Sequence, residues 1–379
     1  MRPWAVVAGD FVRTGGMDAA NHALAGWLAR SGRETHVVAH RVADDLVHEP
    51  NLHVHHVPRP LGSHLLGFPL LDRAGRRAAR TLAGRDPAVL GNGGNTRAAG
   101  AVWLHYVHAA YEPRVAGRPL RRGIDRLARR SALADEARAV RSARVIVANS
   151  RLTARHATEL LGGDPAAVHV VYYGTDGDRF RPPSPDERRA ARGALGWNDD
   201  VPAVAFVGAL GDRRKGFDTL FEAWRLLSAG GSWDARLAVA GAGSELDRWR
   251  RRAAEAGLAD RIQFLGFHPD VRRLLWAADA LASPTRYEAY GLAVQEAVCC
   301  GLPVLVSEAA GVAERIGGEA RRLLIPDPDD AEGVAGRLRA WRDGLEGHRS
   351  AALALSAQMR LWTWDDMARS IAQRVEAAR

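Results

Sequence analysis

Phe206-Val-Gly-Ala-Leu-Gly-Asp-Arg-Arg-Lys-Gly216 joins an apolar run, Ala203 to Val207, to a helical pattern from Gly216 to Leu227. Strand, glycine-rich loop and helix in that order are the repeating unit of an α/β fold, because a parallel strand needs a crossover before the next one. The loop carries Lys215, the one lysine in a chain whose lysines and arginines together number 53. A coding bias toward arginine would leave such a residue by chance. A site that needs a compact ammonium rather than a planar guanidinium would keep it by necessity. The surroundings decide between the two.

The alternation continues in both directions. Downstream, strands are expected over Arg236–Ala240, Ile262–Leu265, Ala280–Ser283 and Pro303–Ser307, with a last one over Arg322–Ile325. Helices over Glu245–Ala256, Pro269–Trp276 and Leu292–Cys300 separate them. Upstream, strands are expected over Trp4–Ala8, Thr35–Ala39, Leu52–Val57, Ala88–Gly91, from Ala101, over Arg144–Asn149 and over Val168–Tyr173, with a helix over Ala19–Ala29. Such alternation means mostly parallel sheets covered on both faces, and 379 residues exceed one ordinary core. The expected architecture is α/β, with two doubly wound, Rossmann-like domains facing across a cleft, 1–180 and 181–360. Arg181-Pro-Pro-Ser-Pro-Asp186 reads as the linker, and an amphipathic helix in 361–379 is expected to pack back toward the first domain.

Hydrophobic residues at 47% and charged residues at 26% describe a soluble globular protein. No apolar run reaches the roughly 20 residues that span a bilayer, and the amino terminus lacks a signal-peptide core, so a cytoplasmic location is expected. Cys299 and Cys300 are adjacent in an apolar stretch, which makes neither a disulfide framework nor a metal site. A net charge of +9 points to an anionic partner. The basic residues are densest from Arg114 to Arg144, where Arg118, Arg121, Arg122, Arg126, Arg129 and Arg130 fall on an expected helix. That helix is either a solvated face or a docking surface for a membrane or an acidic acceptor; without interleaved aromatics, nucleic acid is not expected. His48, His53, His55 and His56 have no cysteine or carboxylate at zinc-like spacing, and strand alternation sends His55 and His56 to opposite faces, so no metal is expected there.

Gly15-Gly16, before the first helix, lacks the spacing of a dinucleotide fingerprint, but two glycines at a helix start still let backbone N–H groups approach an anion. Ala101-Val-Trp-Leu-His105-Tyr-Val-His108 places two histidines at a strand end, where α/β folds gather functional side chains. The densest chemistry is Ser283-Pro-Thr-Arg-Tyr-Glu288-Ala-Tyr-Gly-Leu-Ala-Val-Gln-Glu296. Gly291 opens a helix whose unpaired N–H groups attract phosphate. Glu288 lies before that start and Glu296 more than a turn beyond it, so the two carboxylates can accept hydrogen bonds from hydroxyls on either side of a bound phosphate.

These motifs together resemble the retaining GT-B glycosyltransferases of family four. The likeness rests on strand–Gly–Arg-Lys-Gly, on the two glutamates with seven residues between them around Tyr-Gly-Leu, and on Glu296-Ala-Val-Cys-Cys-Gly-Leu-Pro-Val. Thr14-Gly-Gly-Met-Asp-Ala-Ala-Asn21, Asn149-Ser150 and Tyr173-Gly-Thr-Asp176 extend it over nearly the whole chain. The resemblance implies that Gly15 and Gly16 meet the donor phosphates, that Lys215 pairs with the diphosphate, that Glu288 holds a hydroxyl of the transferred sugar and that Glu296 holds the ribose. It gives Gly291 and Leu292 backbone N–H roles, puts base selection near Gly266 to His268, and gives a donor-sugar contact to His105 or His108, with His105 favoured as nearer the strand end. Many members have arginine directly after the strand glycine; this chain has Ala209, and Arg214 or Arg213 is left to supply that charge.

The implied activity is transfer of a sugar from a nucleoside diphosphate sugar to an acceptor hydroxyl with retention, on a glycan, lipid-linked or small-molecule acceptor, at the inner face of a membrane or in solution. It implies no cofactor and no required metal; Asp327-Pro-Asp329 matches the metal motif of other glycosyltransferases but reads as a proline-flanked turn. A GT-B epimerase or sugar phosphorylase and a non-enzymatic basic binding protein are the competing readings.

Overall fold

The computed structural model describes residues 2–112, 119–197, 200–268 and 270–378. The chain divides into two compact units, 1–174 together with 363–379, and 175–362.

The first unit is built on a parallel sheet of β1 (Trp4–Val7), β2 (Thr35–Ala39), β3 (Leu52–His56), β4 (Ala88–Asn92), β5 (Ala101–Leu104), β6 (Val145–Ala148) and β7 (Val168–Val170). Its spatial order is β3-β2-β1-β4-β5-β6-β7. β1, β5 and β6 are buried along their whole length, as strands covered on both faces must be. The last helix, Trp364–Ala377, returns to this unit and packs on the helix Gly16–Arg30. Thr363 and Asp366 cap each other at its start, and near its end Glu376 accepts hydrogen bonds from Trp4 Nε1 (3.1 Å) and Arg33 Nε (2.7 Å). Gly174 makes the return possible, since a Cβ there would overlap the Thr363–Trp364 backbone.

The second unit holds β8 (Ala203–Val207), β9 (Arg236–Ala240), β10 (Ile262–Gly266), β11 (Ala280–Ser283) and β12 (Val304–Val306), all parallel, in the order β10-β9-β8-β11-β12. The helix Phe217–Ala229 buries Phe217, Leu220, Phe221, Trp224 and Leu227 against this sheet, the spacing of one apolar helical face. Burial of such side chains contributes about 1.5–3 kcal/mol each. In both sheets the strand order reverses beside the first strand. At such a switch point the loops leaving two neighbouring strands diverge and open a crevice at their carboxyl ends.

Two expectations are corrected. Arg322–Ile325 is not a strand: Gly318–Leu323 is a 3-10 turn, and only a single bridge, Ser307 to Ile325, remains of the pairing. Gly318, at a φ of 57°, breaks the extended backbone. Arg181–Asp186 is not a free linker either. Ser184 and Glu187 form a capping box at the start of the helix Pro185–Ala194, and Arg181 donates to both Glu187 oxygens at 2.9 and 2.7 Å. The helix expected from Pro269 runs over Val271–Ala277; Pro269 lies outside the described residues. No helix among the described residues is long and apolar enough to cross a membrane.

Candidate functional site

In the second unit the switch point lies between β8 and β11, and the loops that leave them carry Lys215 and Glu288. After β8, Asp212 accepts the Arg214 N–H at 3.0 Å and caps a short 3-10 turn, Arg213–Lys215. Gly216 then takes a φ of 71°, and a Cβ there would overlap the Pro284 carbonyl oxygen, so only glycine lets the two loops touch. After β11, Thr285 donates its hydroxyl to the Arg214 carbonyl at 2.7 Å. The segment at Glu288 is tied to the chain beyond β12, with Gly311 N–H donating to the Glu288 carbonyl at 2.9 Å and Val312 N–H to that of Tyr290 at 2.7 Å.

These constraints bring Lys215 Nζ to 2.5 Å from Glu288 Oε2, and the same oxygen lies 3.3 Å from an Arg214 guanidinium nitrogen. All three side chains are partly exposed. Of the two arginines left to offset Ala209, Arg214 is therefore the one beside Lys215; Arg213 is held by Asp218 at 2.9 Å. The helix Leu292–Cys299 starts four residues beyond Glu288. Gly291 at its N-cap has a φ of 108°, no side chain caps it, and a Cβ there would lie 3.4 Å from Glu288 Cγ. Cation, carboxylate and open helix start thus share one corner. Glu296, on the same helix, has no hydrogen-bonding side-chain partner among the described residues. Burial pushes its carboxyl up to about 8, against a smaller opposing pull from Arg179. Gly266 ends β10 at a φ of 70° and accepts the Gly241 N–H at 2.7 Å.

A cavity of about 250 Å³ on this unit is not this corner. Arg213, Asp218, Glu245, Arg248, Trp249 and Arg252 line much of it, and neither Lys215 nor Glu288 does. A narrow polar corner that fills with a ligand's own phosphates need not be the roomiest hollow on a surface. Asp327 and Asp329 form a turn: Asp329 N–H donates to Asp327 Oδ1 at 2.8 Å, and the Asp329 carboxylate is held by Arg286 at 2.6 Å.

The first unit places Gly15, at a φ of 83°, as the uncapped N-cap of the helix Gly16–Arg30. Asn21, one turn in, donates to the Asp10 carbonyl after β1 and accepts from Asn92, the last residue of β4, at 2.8 Å, which ties together the two strand ends at this sheet's own switch point. Burial, with the neighbouring Asp10 carboxylate, raises Asp18 to about 6. Asp10 lies outside the motifs that the sequence singles out, and Asp18, within the stretch Thr14 to Asn21, is given no role there.

His105 follows β5 and is buried, with Nδ1 2.5 Å from the Tyr173 hydroxyl. Asn149 Nδ2 donates to that hydroxyl at 3.2 Å and to the His105 carbonyl at 3.1 Å. With an acceptor site on the hydroxyl taken by Asn149, its proton goes to Nδ1, and this pattern assigns the hydrogen of His105 to Nε2. Burial drives His105 down to about 3, so it is a neutral donor, and Nε2 has no partner among the described residues. His108 is engaged otherwise: Glu136 accepts from its backbone N–H and pairs with its Nδ1, both at 3.0 Å. Of the basic helix, Pro119–Ser142, Arg129 donates to the His108 and Tyr111 carbonyls, and Arg126 and Arg130 are exposed. Arg114 and Arg118, and the side chains of Arg121 and Arg122, lie outside the described residues. Cys299 and Cys300 are buried packing residues.

Two parallel, doubly wound sheets, each with polar groups gathered at the carboxyl ends of its strands, define a protein of the GT-B glycosyltransferase fold. The full chain superposes on sucrose-phosphate synthase from Thermosynechococcus elongatus with a TM-score of 0.78 at 20% identity, covering 100% of this chain and 99% of that one. It superposes on Anabaena HepE, solved with UDP and glucose, with a TM-score of 0.74 at 18% identity, covering all of both chains. Residues 14–179 match the model of Glycosyltransferase Family 4, and residues 187–349 that of Glycosyl transferases group 1. The chain thus carries a Glycosyltransferase Family 4 stretch followed by a Glycosyl transferases group 1 stretch. Over 174 residues it is 38% identical to the D-inositol 3-phosphate glycosyltransferase of Mycobacterium tuberculosis, a match that spans 44% of this chain and 34% of that relative.

Proposed function

We propose that the protein transfers a sugar, with retention, from a nucleoside diphosphate sugar bound by the 175–362 unit to a hydroxyl of an acceptor bound by the first unit. The observation that carries this reading is the corner where Lys215, Arg214 and Glu288 meet beside the uncapped helix start at Gly291. As the glycosidic bond breaks, charge builds on the leaving diphosphate, and preorganised cations and N–H dipoles stabilise it there. In this reading Lys215, Arg214 and the N–H groups of Gly291 and Leu292 do that. They supply the positive charge that a divalent ion supplies elsewhere, which supports a reaction without a required metal.

Glu288 has two tasks in this scheme. Before the donor arrives it fixes the Lys215 ammonium at 2.5 Å; with the donor in place it accepts a sugar hydroxyl while Lys215 turns to phosphate. Glu296, short of partners, suits a ribose that brings its own hydroxyl donors. In the first unit, His105 keeps an Nε2–H for a hydrogen-bond acceptor. HepE, solved with UDP and glucose, lends support to a nucleoside diphosphate sugar as donor.

The test is a thermal-shift panel of nucleoside diphosphates and their sugars, followed by turnover with the stabilising donor and a hydroxyl acceptor, with the anomeric configuration of the product read by NMR. Stabilisation by one nucleotide, and loss of turnover in Lys215→Ala and Glu288→Ala with the fold intact, is the expected result. Normal turnover in either variant, or no stabilising nucleotide across the panel, refutes the site. Lys215→Arg asks whether charge alone suffices. A drop of at least about tenfold is expected, because a planar fork does not replace a compact ammonium already seated against Glu288.

A further inference from the structure

A second cluster of polar side chains lies away from the strand ends that carry the chemistry. Histidines of the edge strand β3 that sequence spacing leaves without ligand partners find them on β2. His36 and His53 are opposite one another in the parallel register, so their side chains leave the same face of the sheet, and their rings stand 4.8 Å apart between centroids. Glu34, two residues before His36, joins them on that face. One donor atom each from Glu34, His36 and His53 lies within 4.8 Å of the others.

We propose that Glu34, His36 and His53 form a binding site for a divalent transition metal of the zinc class, with His55 as the outer partner that orients His36. Glu34 Oε1 and His36 Nε2 are 3.1 Å apart. Two ligands on a tetrahedral zinc, each at about 2.0–2.2 Å, are separated by about 3.3 Å, so the pair already stands near the edge length of a coordination tetrahedron. In the metal-free protein a proton bridges that edge, and the metal replaces it. The other nitrogen of His36 is spoken for: Nδ1 lies 2.8 Å from His55 Nε2 and donates to it when Nε2 turns its lone pair to the metal. A hydrogen bond to the second nitrogen is what holds a ligating imidazole in its tautomer and orientation.

Arg85 fixes the carboxylate, donating to Oε1 at 2.9 Å and to Oε2 at 2.6 Å, and leaves Oε1 a further lone pair on the side of His36. His53 is exposed, so the site is open to entering metal and keeps room for water as a fourth ligand. Two imidazoles and one carboxylate are a donor set that zinc and its neighbours accept and that magnesium and calcium do not favour. His36 is the second residue of β2, so the cluster sits near the amino ends of the strands, away from the carboxyl ends where the chemistry is placed. The metal would clip the edge strand β3 to β2 rather than act on substrate.

The full-length chain, stripped with chelator and dialysed against Zn²⁺, is expected to retain about one equivalent that saturates at micromolar metal, and to give the visible ligand-field absorption of four-coordinate Co²⁺ when cobalt is the probe. His53→Ala, an exposed position that leaves the strand intact, abolishes the cobalt spectrum, as does Glu34→Gln. His55→Ala weakens binding about 10–100-fold without removing a ligand. His48→Ala, outside the cluster, changes nothing. Absence of saturable binding, or zinc and cobalt binding that survives His53→Ala and Glu34→Gln, overturns the assignment and marks any retained metal as adventitious. The nucleotide-induced thermal shift of His53→Ala matches the parent's; loss of that shift would place the metal in the donor site instead and overturn its separation from it.

Discussion

Replacing Glu296 by glutamine should make the protein more stable, and increasingly so as pH rises. The carboxyl loses its proton at about 4.5 in the unfolded chain and is held up to about 8 by burial in the folded one. Between those values the unfolded state binds fewer protons than the folded state, so stability falls as pH rises, and the loss is complete above about pH 8. At 1.36 kcal/mol per pH unit the cost is under about 1 kcal/mol at pH 5, about 3 at pH 7 and about 4 at pH 8. Glutamine does not titrate, so Glu296→Gln should recover up to these amounts, less what solvent already restores to a partly exposed side chain and what the amide lacks in partners. Urea denaturation at pH 5 and pH 8 measures it: with a slope of about 2 kcal/mol per molar urea, the transition in which the 175–362 unit unfolds should move upward by up to about 2 M at pH 8 and by under about 0.5 M at pH 5. The same substitution should shrink the stabilisation that a nucleoside diphosphate confers, because an amide is a weaker acceptor for ribose hydroxyls than a carboxylate. A gap between parent and variant that does not depend on pH, or a variant less stable at pH 8, refutes the reasoning.

Tyr173→Phe removes the hydroxyl that donates to His105 Nδ1 and leaves a buried imidazole nitrogen unsatisfied. A loss of about 1–3 kcal/mol by denaturation, with kcat reduced more than KM changes, is the expected result, and an unaltered midpoint together with an unaltered kcat would show that the pair does not position the ring. Gly216→Ala puts a Cβ into the Pro284 carbonyl at a positive φ, so it should destabilise the protein by more than about 1 kcal/mol and weaken nucleotide binding at the same time. A stable Gly216→Ala with normal nucleotide binding would mean that the contact between the two loops does not set the position of Lys215.

Much of the scaffold is legible in the chain because its strands are short apolar runs closed off by glycine or a polar residue. Thr35–Ala39, Ala203–Val207, Arg236–Ala240 and Ala280–Ser283 occur with the bounds expected. The eighteen-residue helix His64–Thr81 has no place in the sequence reading, since Gly67 and Pro69 in its first two turns look like punctuation there. Arg322–Ile325 looks like a strand by composition alone. At the site, the residue types were legible and the pairings were not. Lys215 and Glu288 are 73 residues apart, His105 and Tyr173 are 68 apart, and nothing local to either end says which atoms meet. The same limit hid the histidine cluster: His53 has no carboxylate at a useful spacing on its own strand, and the register of β2 against β3 supplies one.

What remains after folding has used most polar groups is informative by its position. Glu296 keeps a carboxyl raised by burial, His105 keeps an unpartnered Nε2, and the helix at Gly291 starts without a cap. Each is a local loss that a sequence selected for stability alone would remove, by Glu296→Gln, by an apolar residue at 105, or by serine or aspartate before the helix. All three belong to loops or helices that follow the carboxyl ends of strands, where a doubly wound fold brings its ligand. Folding stability and ligand binding therefore pull the same side chains in opposite directions. On this reasoning a donor that supplies hydroxyls to Glu296 and phosphate oxygens to the Gly291 helix start satisfies two groups that the second unit leaves open, and an acceptor atom at His105 Nε2 would satisfy the one left open in the first. A nucleoside diphosphate has both kinds of atom that the second unit calls for within one molecule, whereas free phosphate or a nucleoside alone has only one of them.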